Sequence, residues 1–325
     1  MFMELYPLKF QPLFKYRIWG GNKLKTQLNK QYEEENIGES WEVSDVENDE
    51  TLVLEGSLQG KTLKQLISTF KEDFVGNKVY EEFGTDFPLL IKFIDAKTPL
   101  SIQVHPSNEL AKERHNSFGK NEMWVVMDAD DGAELIVGFD KEIDDRAYQK
   151  HISNDTILDV MHHEKVKKGD TFYIPTGRIH AIGAGVLLAE IQQTSNITYR
   201  IYDYKRIDVK TGTKRELHTE LALDAIDFTY HKEFKTHYEK TPNVSNKLVH
   251  SPYFKTNFLT ITKPIAKDYS NLDSFVIYIC ISGVLDVVCN EKSYTLSAGE
   301  TILLPAIINN VTLQTNKAEV LEVSL

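Results

Sequence analysis

The run GDTFYIPTGRIH (169–180) spaces Gly169, Pro175, Gly177 and His180 as GxxxxxPxGxxH. A short β-type segment ends at the proline, and a glycine-bearing turn then delivers an imidazole. Upstream lies Gln103-Val104-His105, and residues i and i+2 of a strand face the same side, so both side chains can enter one interior. Glu122 follows in KNEMW, where an apolar strand begins. Imidazole, carboxylate and amide oxygen are donors that suit a borderline divalent cation such as Zn²⁺. Each has a plainer reading: His180 as a satisfied core histidine, Glu122 as a strand-edge carboxylate. His115, His162 and His163 sit in polar helical or loop contexts and read as structural.

The elements that must position these groups are mostly strands. WEVSDV (41–46), LLIKFID (89–95), LSIQVHP (100–106), EMWVVMD (122–128), AELIVGF (133–139) and GVLLAEIQQT (185–194) are short apolar or alternating runs between Gly, Pro, Asn and Asp. Helical spacing is predicted over 62–74, 143–152, 155–162 and 216–226. A polar, aperiodic stretch with Pro242 (230–250) reads as a linker, after which strand signals return. FVIYIC-ISG-VLDVVC reads as a hairpin turning at Ser282-Gly283, which places Cys280 and Cys289 on either side of the turn as small buried residues. GETILLPAIINN (299–310) repeats the pattern of 169–180 with Asn310 at the place of His180. Two related β-barrels, of which one keeps a ligand-type residue, account for the repeat.

Composition narrows the function. The chain has 325 residues, 41% hydrophobic and 26% charged, and a formal charge of −11. That is an ordinary globular composition, and its acidity argues against a nucleic-acid partner. It leaves room for a small anionic substrate held by a few local cations. Two cysteines give no disulfide framework. No leader-type segment and no uninterrupted apolar run of membrane-spanning length is read, so a cytoplasmic protein with no membrane partner is expected.

The GxxxxxPxGxxH segment resembles the second metal-binding motif of the cupin superfamily, whose histidine sits at the mouth of a small β-barrel. Gln103, His105 and Glu122 stand where that resemblance places a His-x-His pair and its glutamate. More specifically, WGG (19–21), IGESWEVS (37–44), PLLIKFIDAKTPLSIQVHP (88–106), KERHNSFGKNEMW (112–124), GDTFYIPTGRIHAIGAG (169–185) and EIQQTSNITYRIYDY (190–204) together resemble type I mannose-6-phosphate isomerase in its short bacterial form.

The resemblance implies a mainly β fold of two cupin-type jelly-roll barrels, with a few helices attached to the N-terminal part. Residues 1–235 would be the catalytic domain and 246–325 a smaller metal-free one. It implies interconversion of mannose 6-phosphate and fructose 6-phosphate through a cis-enediol. One Zn²⁺ per chain would be held by Gln103, His105, Glu122 and His180. Arg200 and Lys92 are expected at the substrate and its phosphate or oxyanion. Lys120 is expected as a proton shuttle if burial and the metal lower its pKa. Many relatives carry an acid four residues before the arginine, where this chain has Asn196. Lys120, Glu190 and a metal-bound hydroxide are therefore the candidates for the base. The alternatives are another cupin phosphosugar isomerase, such as one for glucose 6-phosphate, or a non-catalytic sugar-binding cupin. The expected assembly is a monomer or homodimer with a small phosphorylated sugar as its partner.

Overall fold

The computed structural model describes residues 4–325 and folds them into two β units. The strands of the first are β1 (Leu13–Gly21), β2 (Ile37–Val43), β3 (Leu89–Ala96), β4 (Ile102–Val104), β5 (Glu122–Ala129), β6 (Glu134–Phe139), β7 (Met161–Lys165), β8 (Thr171–Ile174), β9 (His180–Ile182), β10 (Val186–Gln193) and β11 (Tyr199–Tyr202). They form one sheet in the order β7-β6-β9-β4-β11 and another in the order β8-β5-β10-β3-β1-β2. The sheets pack face to face: Trp124 and Val126 of one share a cluster with Leu135, Val137 and Ile182 of the other.

β3 and β10 are buried on both faces, and their period of two separates two jobs. Leu89, Ile91, Phe93, Leu187, Ala189 and Ile191 point away from the barrel into a core shared with the second unit. Lys92 and Glu190, directly paired across the strands, point into the barrel.

The second unit comprises β12 (Asn246–His250), β13 (Lys255–Ile261), β14 (Ile265–Asp268), β15 (Val276–Cys289), β16 (Lys292–Ser297), β17 (Thr301–Leu304), β18 (Asn310–Gln314) and β19 (Ala318–Ser324). The fold is thus mainly β and cupin-like. The two copies of the repeated motif share a backbone. Gly169 and Gly299 both take positive φ, 88° and 87°. Each is followed by a four-residue strand, a turn at Pro175 or Pro305, and a strand opening at His180 or Asn310. His180 is buried and Asn310 exposed.

The expected hairpin at Ser282-Gly283 is absent. β15 runs through as one bent strand with a bulge between Cys280 and Ser282; its first half pairs β19 and β17, its second half β16 and β18. Gly283, with a φ of 83°, lies past the bulge, where the strand passes from its first set of partners to its second. The hairpin turn is Asn290-Glu291, where both residues are left-handed. Both cysteines are buried and unbonded.

Helices appear at Leu63–Phe70, Asp145–Ser153 and Thr219–Ala225. The first is capped reciprocally by Thr62 and Gln65 and stops at Lys71, whose φ is 49°. The helix expected over 155–162 is a single 3₁₀ turn, Ile157–Val160, followed by β7, because MHHEK alternates buried and open positions and pairs with β6. The stretch read as a linker is strapped to the first barrel: Phe234 is buried, the Thr236 N–H donates to the Thr171 carbonyl, and the Tyr238 hydroxyl donates to the Gly169 carbonyl. Among the described residues no helix is long and apolar enough to cross a membrane.

The two units are sewn together. Leu8 pairs with Leu303, Phe87 packs against Phe275 with ring centres 4.7 Å apart and the rings tilted by 39°, and Asp273 caps the helix Asn77–Phe83 through the Asn77 and Lys78 N–H groups.

Asp45 accepts a bond from the Phe87 N–H through Oδ2, but its buried Oδ1 has no partner, and burial pushes its carboxyl up to about 6. A carboxyl raised in the folded state favours the protonated native form, so stability falls as pH rises from the unfolded value through about 6. Asp45→Asn is expected to stabilise the fold by about 1 kcal/mol at pH 7.5, allowing for solvent screening, and to lose that gain near pH 4. Urea melts at the two pH values measure this; an equal effect at both would refute it.

Candidate metal centre and cavity

One wall of the barrel interior is a row of paired residues on β9, β4 and β11: His180 faces Gln103, and Gln103 faces Arg200. Side chains directly opposite on antiparallel strands share a face. The opposite wall is a second row, Trp41, Lys92, Glu190 and Trp124, across β2, β3, β10 and β5. Glu122, two residues before Trp124, shares that inward face. The rings of Trp124 and His180 meet edge to face, 5.3 Å between centres, where the two walls touch.

His105, Glu122 and His180 come together in the deepest part, with one donor atom from each lying within 4.8 Å of the others, and all three are buried. His105 Nδ1 donates to the Ile197 carbonyl and His180 Nδ1 to the Arg178 carbonyl, both at 2.9 Å. Each Nε2 therefore turns a lone pair inward. Burial holds His180 down at about 3 and His105 well below its ordinary value, so both rings are neutral. His180 Nε2 lies 3.3 Å from Glu122 Oε1, a buried oxygen that receives no hydrogen bond. Two lone pairs that close repel each other unless a cation lies between them. The Gln103 amide ends 3.2 Å from His180 Nε2, and a half-turn of the amide aims its oxygen at the same point. This group could hold a metal ion. The motif loop is locked to it: the Gly177 N–H donates to the His105 carbonyl at 3.0 Å, and Gly177 holds a φ of 85° that a side chain would strain.

Lys120 reaches the same place. Its Nζ contacts Glu122 Oε2, lies 3.2 Å from His105 Nε2 and 4.0 Å from Glu190 Oε1. Burial pulls its ammonium down, but Glu122 and Glu190 pull harder the other way, and it rests above the usual lysine value. Of the two influences expected to lower it, burial does act, and without a metal's charge the two carboxylates outweigh it. Burial raises Glu122, and Glu190 raises it further. Burial also raises Glu190, which Lys120 and Lys92 more than offset.

The centre opens on a cavity of about 400 Å³, lined among others by Gln103, Lys120, Lys92, Glu190, Asn196 and Arg200. Lys92 is poorly placed to grip a phosphate. It is 6% exposed, pairs with Glu190 at 3.2 Å and lies over the Trp41 ring at 4.9 Å. Arg200 stands further out, held by the Ser101 hydroxyl and the Glu216 carbonyl, and burial followed by the charge of Arg215 lowers its pKa. Asn196 is exposed on the cavity rim. The sequence reading passed over Arg17, Glu39 and Arg215. Arg17 lies just before WGG and Glu39 inside IGESWEVS, segments it did single out. Arg215 lies in an irregular loop that carries no motif.

Comparison with known proteins adds to this geometry. Residues 7–135 match the family described as phosphomannose isomerase type I, catalytic domain, and residues 245–324 match mannose-6-phosphate isomerase, cupin domain. A Bacillus subtilis protein named "Probable mannose-6-phosphate isomerase GmuF" is 35% identical over 95% of this chain and 96% of its own. The mannose-6-phosphate isomerase of Streptococcus mutans is 32% identical over 94% of each chain. The crystal structure of the mannose 6-phosphate isomerase from Bacillus subtilis superposes with a TM-score of 0.88 at 30% identity, covering 98% of this chain and 99% of its own. Likeness of that extent takes in both β units and the walls that carry the buried centre, and the chain belongs to the type I phosphomannose isomerase family.

Proposed function

We propose that the chain interconverts mannose 6-phosphate and fructose 6-phosphate, with one Zn²⁺ held by Gln103, His105, Glu122 and His180. The observation that carries the metal assignment is the convergence of the His180 Nε2 lone pair on the undonated Glu122 oxygen. Two neutral imidazoles, a carboxylate and an amide oxygen fit that ion. An ion held there would supply Lewis-acid polarisation to the sugar's oxygens.

The protein's own groups do the rest. Lys120, buried beside the ligands, moves the proton between C1 and C2. Glu190, whose oxygen lies 4.0 Å from its Nζ, stabilises the ammonium that Lys120 becomes when it holds that proton. Trp124 Nε1 donates to Glu190 at 2.9 Å and fixes its direction. Lys92 holds the same carboxylate from the other side and serves the substrate indirectly. Arg200 binds the anionic substrate at the outer part of the cavity. Asn196 takes no proton.

The alternatives of a glucose 6-phosphate enzyme and a non-catalytic binder are not favoured, since full-length relatives bear the mannose-6-phosphate isomerase name. Residues 1–235 would form the catalytic domain and 246–325 a metal-free one. Two buried unbonded cysteines suit the cytoplasm.

A coupled assay for fructose 6-phosphate formed from mannose 6-phosphate tests the reading directly. Arg200→Ala is expected to cut turnover at least about a hundredfold with metal content unchanged, and Arg200→Lys to restore little, since a point charge replaces a fork. Near-normal activity in the lysine variant would leave Arg200 a packing role only.

A further inference from the structure

The charges of the cavity divide by depth. At the inner end Lys92 and Lys120 face Glu122 and Glu190, two against two. At the outer end the balance fails. Arg17 is cancelled by Glu39, which it holds with a two-pronged grip, and Asp208 is bound by the Tyr16 hydroxyl, with Lys210 over the same ring. Asp203 is a single carboxylate shared by Arg206 and Arg215. Arg200 has only neutral oxygens for partners. Two positive charges are left over, and among the described residues Arg200 Nη2 and Arg215 Nη1 have no hydrogen-bond acceptor. Both residues line the cavity.

Arg215 owes its position to an irregular hairpin between β11 and the helix Thr219–Ala225. Tyr204 and Lys205, both left-handed, turn the chain out of β11. Ile207 pairs with Lys214, and the Asp208 N–H donates to the Thr213 carbonyl. Asp208 then docks the loop on Tyr16, and Arg206 ties its base to the Pro99 carbonyl. Asp203 aligns the Arg215 guanidinium through Nε and Nη2, leaving the remaining edge toward the cavity.

We propose that Arg215, presented by this hairpin, joins Arg200 in binding the phosphate dianion of the substrate and so sets the preference for phosphorylated over free sugar. The inference rests on the isomerase reading. A dianion matches the two uncancelled charges, and paired guanidiniums offer phosphate oxygens several charge-assisted hydrogen bonds. The uncharged end of the sugar then lies toward the electrically balanced interior, beside the metal ligands.

The test compares wild type, Arg215→Met and Arg215→Lys for kcat and KM on mannose 6-phosphate, and for the competitive inhibition constant of inorganic phosphate. In Arg215→Met, KM and the phosphate constant are expected to rise together by at least about tenfold, with kcat within about threefold, the pattern of lost uniform binding. Arg215→Lys should fall between. Unchanged KM and phosphate constant would overturn the proposal. So would a fall in kcat with phosphate inhibition intact, which would make Arg215 a prop for Asp203. Should the wild type not isomerise mannose 6-phosphate, the functional reading fails. Calorimetric binding of inorganic phosphate to wild type and Arg215→Met then still decides the role of Arg215.

Discussion

His180→Ala is expected to lose metal and turnover together, with metal falling from one equivalent per chain to a small fraction and activity dropping at least about a thousandfold. The imidazole is held by the Arg178 carbonyl on one nitrogen and aims the other at Glu122 and Gln103. Nothing adjacent can substitute, because Trp124 closes that side and Lys120 brings a positive charge. His180→Asn is the sharper version, since asparagine stands at the same point of the second copy of the motif and the backbone there is known to accept it. Elemental analysis beside a thermal melt separates loss of the ion from loss of the fold. A variant that kept one equivalent of metal would show that His180 is not a ligand.

Lys120→Ala should spare the metal and lower kcat at least about a hundredfold, the lower end of what an acid–base group contributes. The ammonium touches Glu122 and stands beside Glu190, so its removal leaves two buried carboxylates facing each other with Lys92 as their remaining lysine. That loss also destabilises the fold, so kcat is compared on protein shown to be folded and loaded by the same metal analysis. Asn196→Asp should change kcat by less than about tenfold, because the rim position is exposed, whereas Lys120 and Glu190 are buried. A gain of a hundredfold there, or a Lys120→Ala enzyme with near-normal kcat, would move the proton chemistry to position 196.

How much of this was legible in the chain follows from the range of the forces involved. GxxxxxPxGxxH announces a turn through local backbone preferences, and the structure builds that turn. Short apolar runs marked β3 and β10 as strands, and only their pairing shows that Lys92 and Glu190 share a face and neutralise each other. The balance of charge around Lys120 depends on carboxylates from two strands that no local pattern joins. Ser282-Gly283 misled for the opposite reason: a left-handed glycine can bend a continuous strand as well as close a turn, and the partner strands decide which. Arg215 was invisible because its loop has no period, and its place is set by Tyr16, far away in sequence.

The core common to both β units means that neither is an appendage. Leu89, Ile91 and Phe93 on the back of the active-site wall pack in one cluster with Phe258, Phe275 and Ile277 of the second unit. Melting either unit would strip apolar cover from the other, which favours a single cooperative transition. The second barrel is in this way a buttress: substitutions on the face it turns to the first unit, at Phe258, Phe275 or Ile277, reach Lys92 through β3, whose other face carries it.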